Sequence, residues 1–263
     1  MTARDRRWRG AGCTRRRSPQ SAPHRAYWAK ARLAGAALCV ALGLSVGFGC
    51  AVNQDDLRRW ETTLEGPKRL RAVVLHDKYP HELRVQAAMS LIRMKPRKGQ
   101  RLGIKLLVEQ TLAKLVAEER GKLVATLVPL IMEELERKSP DAQPGQPLPP
   151  DPSFKYKDAA YMMLTFDRTS DKTTIVTDPE LKKKLLEALT AWAMTDFERR
   201  LNDRAQMYGM EQLLRYIGAP SVVSLPGLMT KNAKSLVKMA DLVAKLGSTK
   251  TKEEAGEKLV GVA

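Results

Sequence analysis

From Asp55 onward apolar residues return every three or four positions, and that period leaves few folds open to the chain. Ile104, Leu107, Val108, Thr111, Leu112 and Leu115 fall on one face of a helix, as do Leu181, Leu185, Leu189 and Trp192, and again Leu236, Met239, Ala240 and Val243. No convincing run of period two competes with them; the short stretch Thr173-Thr174-Ile175-Val176 is read as loop. The fold class expected is all-α.

Start and stop signals divide the chain into short helices. Asp178-Pro179-Glu180 supplies an N-cap acceptor, a proline suited to the first turn and an early acid, and Gly66-Pro67 and Tyr79-Pro80 mark two further starts. Gly218 and Gly247 follow apolar runs, where a left-handed terminating residue is expected. Helices are predicted at about 54–64, 67–77, 80–95, 100–116, 118–138, 156–167, 178–201, 204–217, 220–230, 233–246 and 250–262. Links of a few residues make neighbours pack as antiparallel hairpins. Pro129 is expected to kink its helix. Leu57, Trp60 and Leu64 share helical spacing and are assigned to the core with Trp192 and Phe197.

One segment breaks the rhythm. Ser139 to Ser153, SPDAQPGQPLPPDPS, holds six prolines, which fix φ and remove backbone donors, so it reads as an exposed loop. It divides the exported part into residues 50–138, a loop at 139–155 and residues 156–263, and is read as an insertion in one continuous stack.

Two nine-residue windows repeat at an offset of 29: Met210, Leu213, Leu214, Ile217 and Gly218 correspond to Met239, Leu242, Val243, Leu246 and Gly247. Such a period built from helix pairs indicates a solenoid. The stretch HELRVQAAMSLIRM at 81–94 resembles the "LRxxAAxAL" helix of HEAT-type (armadillo-like) repeats, and AYMML at 160–164 and GMEQLLRYIGAPSVVSLPGLM at 209–229 are similar more loosely. The resemblance spans most of residues 55–263 and implies an α–α superhelix whose faces bind proteins or other macromolecules. The chain ends at EKLVGVA without an evident polar final helix, although solenoid ends need a capping face.

Ahead of this region lies a different kind of sequence. The first 32 residues carry ten Lys/Arg against one acid, Asp5, and are followed by 17 uncharged residues, Leu33 to Gly49. A basic segment, a short apolar segment and small residues form an export signal, so residues 1–49 are set aside from the fold. The leader supplies about half of the net charge of +17, which weakens the case for nucleic acid that so basic a chain would otherwise make.

Cys50 stands where the uncharged stretch turns polar. Cys13 and Cys39 lie in the leader, so an exported chain beginning near residue 50 has a single thiol and no internal disulfide. Gly49-Cys50 resembles the end of the lipobox of bacterial lipoprotein precursors, though Gly47 stands where Leu is usual and Phe48 is bulky for its place. That resemblance implies acylation of Cys50 and a membrane tether. It also implies sorting to the outer membrane, facing the periplasm, because Ala51 rather than Asp follows the cysteine. An uncleaved anchor through Leu33–Gln54 and ordinary cleavage nearby remain the alternatives.

Candidate chemistry is sparse. His76 and His81, beside Asp77 and Glu82, are separated by a helix boundary at Tyr79-Pro80 and lack metal-ligand spacing. There is no Gly-rich phosphate loop and no Gly-x-Ser-x-Gly, and no cofactor is expected. Lys95, Arg97, Lys98, Arg101 and Lys105 form a basic cluster that could attract an acidic partner or anionic surface, or serve only as a solvated helix start. No aromatic groups are interleaved for base stacking. The expected function is a lipid-anchored, non-enzymatic protein-binding or scaffold module of the cell envelope. The alternatives are an enzyme on a helical-repeat scaffold, lyase-like or glycosylase-like, and a single-pass membrane protein with an exported helical domain.

Overall fold

The computed structural model describes residues 52–260, apart from 98, 139, 141–148, 169–172, 203–205 and 231–232. Twelve α-helices lie among the described residues. They are α1 (Gln54–Trp60), α2 (Gly66–Leu75), α3 (His81–Arg93), α4 (Leu102–Gln110), α5 (Ala117–Glu136) and α6 (Phe154–Thr165). After them come α7 (Pro179–Met194), α8 (Phe197–Asn202), α9 (Met210–Ile217), α10 (Leu225–Met229), α11 (Leu236–Leu246) and α12 (Thr249–Val260). Between α6 and α7, Asp167–Arg168 (β1) and Thr173–Thr174 (β2) form a minimal antiparallel ladder, so the stretch expected as loop contributes two paired residues.

Principal contacts join helices close in sequence: α1 with α2 and α3, α2 with α3 and α4, α3 with α5, α5 with α6 and α7, and α10 with α11 and α12. Two glycines set how closely the first helices approach. A Cβ on Gly66 would lie 1.7 Å from the Trp60 carbonyl oxygen, and one on Gly103 would lie 2.1 Å from that of Leu91. Only a residue without a side chain fits either place.

The repeated windows occupy equivalent environments. Met210, Leu213 and Leu214 of α9 are buried, and so are Met239, Leu242 and Val243 of α11. The glycines that follow differ: Gly218 has φ +80°, whereas Gly247 has φ −69° and is extended. Gly247 instead serves close approach, since its Cβ would lie 2.6 Å from the Val243 oxygen. The final helix also departs from expectation. α12 buries Thr251 and Ala255 and exposes Lys252, Glu253, Glu254, Glu257 and Lys258, so its outer face is polar.

Two further expectations, Leu64 in the core and a single helix over 178–201, are revised. Leu57 and Trp60 are buried, but α1 ends at Trp60 and the turn after it carries Leu64 into solvent, 80% exposed. Pro129 sits inside an uninterrupted α5; it and Ala125, whose carbonyl loses its partner, both face water, which can satisfy the freed oxygen. The helix expected over 178–201 is broken between α7 and α8, where Asp196 adopts φ 51°, a conformation that Asp tolerates better than most residues.

α6 is enclosed by α3, α4, α5 and α7. Every residue from Phe154 to Leu164 is buried except Lys155, which is half-buried. Among the described residues no helix is long and apolar enough to cross a membrane. The leader, with Cys50, lies outside the described residues.

Candidate functional site

A helix covered on all sides ordinarily excludes charge, because removing an ion from water costs several kcal/mol unless it is paired and hydrogen-bonded. α6 nevertheless carries Lys157 and Asp158, both fully buried, with Lys157 Nζ 2.7 Å from Asp158 Oδ1. Asp158 Oδ1 also accepts from the Tyr208 amide at 3.2 Å. Its Oδ2 accepts from Arg101 Nε at 2.9 Å and from the Met207 amide at 3.0 Å. Four donors saturate the carboxylate and fasten the start of α4 and the segment before α9 to α6. Lys157 donates a second bond to the Tyr208 carbonyl, and burial lowers its pKa despite the attraction of Asp158.

A second buried pair guards the entrance to the same helix. Asp151 Oδ1 accepts from the Ser153 amide at 2.8 Å and from its hydroxyl at 2.5 Å, and Oδ2 accepts from Arg200 Nε at 3.0 Å. Arg200 donates through Nη1 to the carbonyls of Trp192 and Thr195, closing the C-terminus of α7, and its guanidinium stacks 4.3 Å from the Trp192 ring centroid. Trp192 Nε1 completes the circuit at 2.7 Å from Ser153 Oγ. The proline-rich segment thus re-enters the fold through a hydrogen-bonded clamp. These groups are engaged with one another, which suits them to holding helices in place.

Three of the depressions on the surface of the described residues stand out. The first, about 690 Å³, runs along the outer face of α7 between Leu186, Ala191 and Met194 and the apolar Ile217 and Pro220, with Lys182 at its border. The second, about 560 Å³, opens at the start of α6 among Arg58, Arg93, Arg137 and Lys155, with Glu61 and Glu134. The third, about 750 Å³, lies between α3 and α5. There His81 Nε2 is 2.9 Å from Thr126 Oγ1, and Arg84 Nη1 donates to Glu119 at 2.7 Å. The Arg84 hydrogen bond holds the Glu119 pKa below its ordinary value. Arg84 Nε also donates to the Val74 carbonyl at 2.9 Å, near the C-terminal end of α2.

The described members of the basic cluster read from sequence differ in what they touch. Arg101 is committed to Asp158, and Arg97 donates to the carbonyls of Thr63 at 2.7 Å and Leu64 at 3.4 Å. Arg97 and Gln100 close a tight turn through an isolated bridge, with Gly99 at φ 76°. Lys95 and Lys105 are exposed, Lys105 lying 4.0 Å from Glu109; Lys98 falls outside the described residues. Among the described residues no group of three or more His, Cys, Asp or Glu is arranged to hold a metal ion.

Sequence reasoning missed Asp151, Ser153, Lys157, Asp158 and Arg200. The available signal was a Lys-Asp pair inside FKYKDAAYMML, where apolar residues otherwise surround the helix without a polar stripe. Comparison of the chain with protein-family models, with curated protein sequences and with solved structures finds no match.

Proposed function

We propose that the chain is an exported, membrane-tethered module whose helices stack as an α–α superhelix and whose work is to bind another protein, without catalysis. Lipid on Cys50 is the tether, and the envelope of a bacterial cell, on the periplasmic side of the outer membrane, is the setting. The superhelix is supported by the predominance of contacts between helices one or two places apart, and by the matched burial of α9 and α11.

The observation that carries the binding role is the apolar groove over α7, which Leu186, Met194 and Ile217 line and nothing in the chain's described residues covers. Its border lysines, Lys182 and Lys183, are exposed. A partner helix with apolar residues on one side and acids beside them matches that combination.

The tether is tested by feeding cells a labelled fatty acid and comparing wild type with Cys50→Ser, with the size of the product read alongside. Label that disappears in the variant supports it; an unlabelled full-length product in the membrane fraction overturns it in favour of an uncleaved anchor. The binding role is tested by crosslinking in cells with Leu186→Asp and Met194→Asp. Loss of a discrete adduct while the fold is retained supports the groove, and an unchanged adduct pattern overturns it.

A further inference from the structure

The cleft at the start of α6 has an unusual charge balance. Four cationic side chains, from α1, α3, the end of α5 and α6, meet two carboxylates. Both carboxylates are already engaged: Glu61 accepts from Arg93 Nε at 3.0 Å and Glu134 pairs with Arg137 Nη1 at 3.2 Å. Among the described residues neither Arg58 nor Lys155 has a carboxylate partner within ion-pair distance. Arg58 is exposed and can move, whereas Lys155 is half-buried, with its ammonium 5.1 Å from the Tyr156 ring centroid. Burial pushes the Lys155 pKa down, against the pull of Glu134, so an anion brought beside it would relieve the cost of holding its charge.

Pro152, Ser153 and Lys155 line the cleft at the start of the 12-residue α6, where the Ser153 amide is taken by Asp151 Oδ1, the Phe154 amide by the Asp151 carbonyl and the Tyr156 amide by the Ser153 carbonyl, so side chains rather than this backbone supply the cleft's donors. Tyr156, also in the lining, has its phenol pushed up to about 12 by burial first and by Glu134 second, so it stays a neutral donor across the ordinary pH range.

We infer that this cleft binds a phosphomonoester group, with Arg58 and Lys155 as its two charge partners. A phosphomonoester carries about −1.5 to −2 at neutral pH, which matches two uncompensated cations, whereas a single carboxylate carries half as much. The volume of about 560 Å³ leaves room for a body larger than the phosphoryl group. The source is either a soluble phosphate ester or a lipid headgroup of the same chemistry. The inference stands apart from the groove over α7 and holds however the chain is anchored.

The experiment is calorimetric titration of the protein, purified in neutral detergent in the form that accumulates in cells, with glycerol 3-phosphate. A parallel titration uses mixed micelles carrying phosphatidic acid or, as control, phosphatidylcholine. Arg58→Gln and Lys155→Gln are each expected to weaken binding roughly tenfold or more, the scale of one charge-assisted hydrogen bond. Lys155→Arg keeps the charge and restores binding, and Lys182→Gln, remote in sequence and outside the cleft lining, leaves it unchanged. The readout is the difference between wild type and variant, which sets aside charge elsewhere in the chain. Saturable binding of glycerol 3-phosphate with this pattern assigns a soluble ligand, and the same pattern with phosphatidic acid alone assigns a headgroup. Absence of binding in both arms overturns the inference. So does an affinity that Arg58→Gln, whose exposed side chain threatens no fold, leaves intact, or one that Lys182→Gln lowers equally.

Discussion

Lys155 and Lys157 stand two residues apart on α6 and meet opposite fates. Lys157 is fully buried against Asp158, which also holds Arg101 and two backbone amides. Lys155 is half-buried at the mouth of a cleft whose carboxylates are engaged by arginines. The same side chain on the same helix is a structural rivet in one place and an unspent charge in the other. The difference lies in the neighbours: desolvation is tolerable where hydrogen bonds replace water.

The strongest way to break the contrast is to remove the shared acceptor. Asp158→Ala leaves Lys157 buried without its anion, and a loss of about 3–5 kcal/mol is expected in urea unfolding. Alkali probes the cleft side. Tyr156 has its pKa raised from 10.0 to about 12 in the fold, so below pH 10 its contribution is complete, and between pH 10 and 12 the unfolded chain releases the proton first. Stability should fall across that window by at most about 1.4 kcal/mol per pH unit from this group. The raised pKa values of Tyr208 and Tyr216 add in the same direction. Tyr156→Phe should flatten its share of the slope in unfolding curves recorded at several pH values.

A subtler perturbation separates charge from contact. Lys157→Met removes the buried ammonium but leaves Asp158 with Arg101 and two amides, so a cost of about 1–2 kcal/mol is expected, clearly less than for Asp158→Ala. The smallest effect belongs to Lys155→Gln, expected to change unfolding free energy by no more than about 0.5 kcal/mol, because no ion pair is broken. A loss comparable to that of Lys157→Met would make Lys155 a structural residue as well.

The helices themselves were legible because burial and spacing coincide. Ile104, Leu107 and Val108, Leu185 and Leu189, and Met239 and Val243 all face inward as their period requires. What escaped was decided by single local events. The early end of α1 exposes Leu64, and the turn at Asp196 lets Arg200 reach back to the carbonyls of Trp192 and Thr195. The polar network was illegible for another reason: its partners lie far apart in sequence, Asp151 with Arg200 and Arg101 with Asp158, and spacing along the chain carries no trace of such pairs. Arg97 and Arg101 looked like surface charge for the same reason, although each is spent on a contact more than 30 residues away.

Enclosure of α6 on every side has a kinetic meaning. A peripheral helix such as α12 can detach and expose its amides while the remainder stays folded, but α6 cannot lose its hydrogen bonds to solvent until α3, α4, α5 and α7 have parted around it. Its backbone protons should therefore exchange with deuterium only as fast as the whole chain unfolds, and their protection should track global denaturant stability while that of α12 does not. In that sense the helix that follows the proline-rich segment acts as a latch for both halves of the molecule, turning what could be piecemeal opening into a single cooperative event.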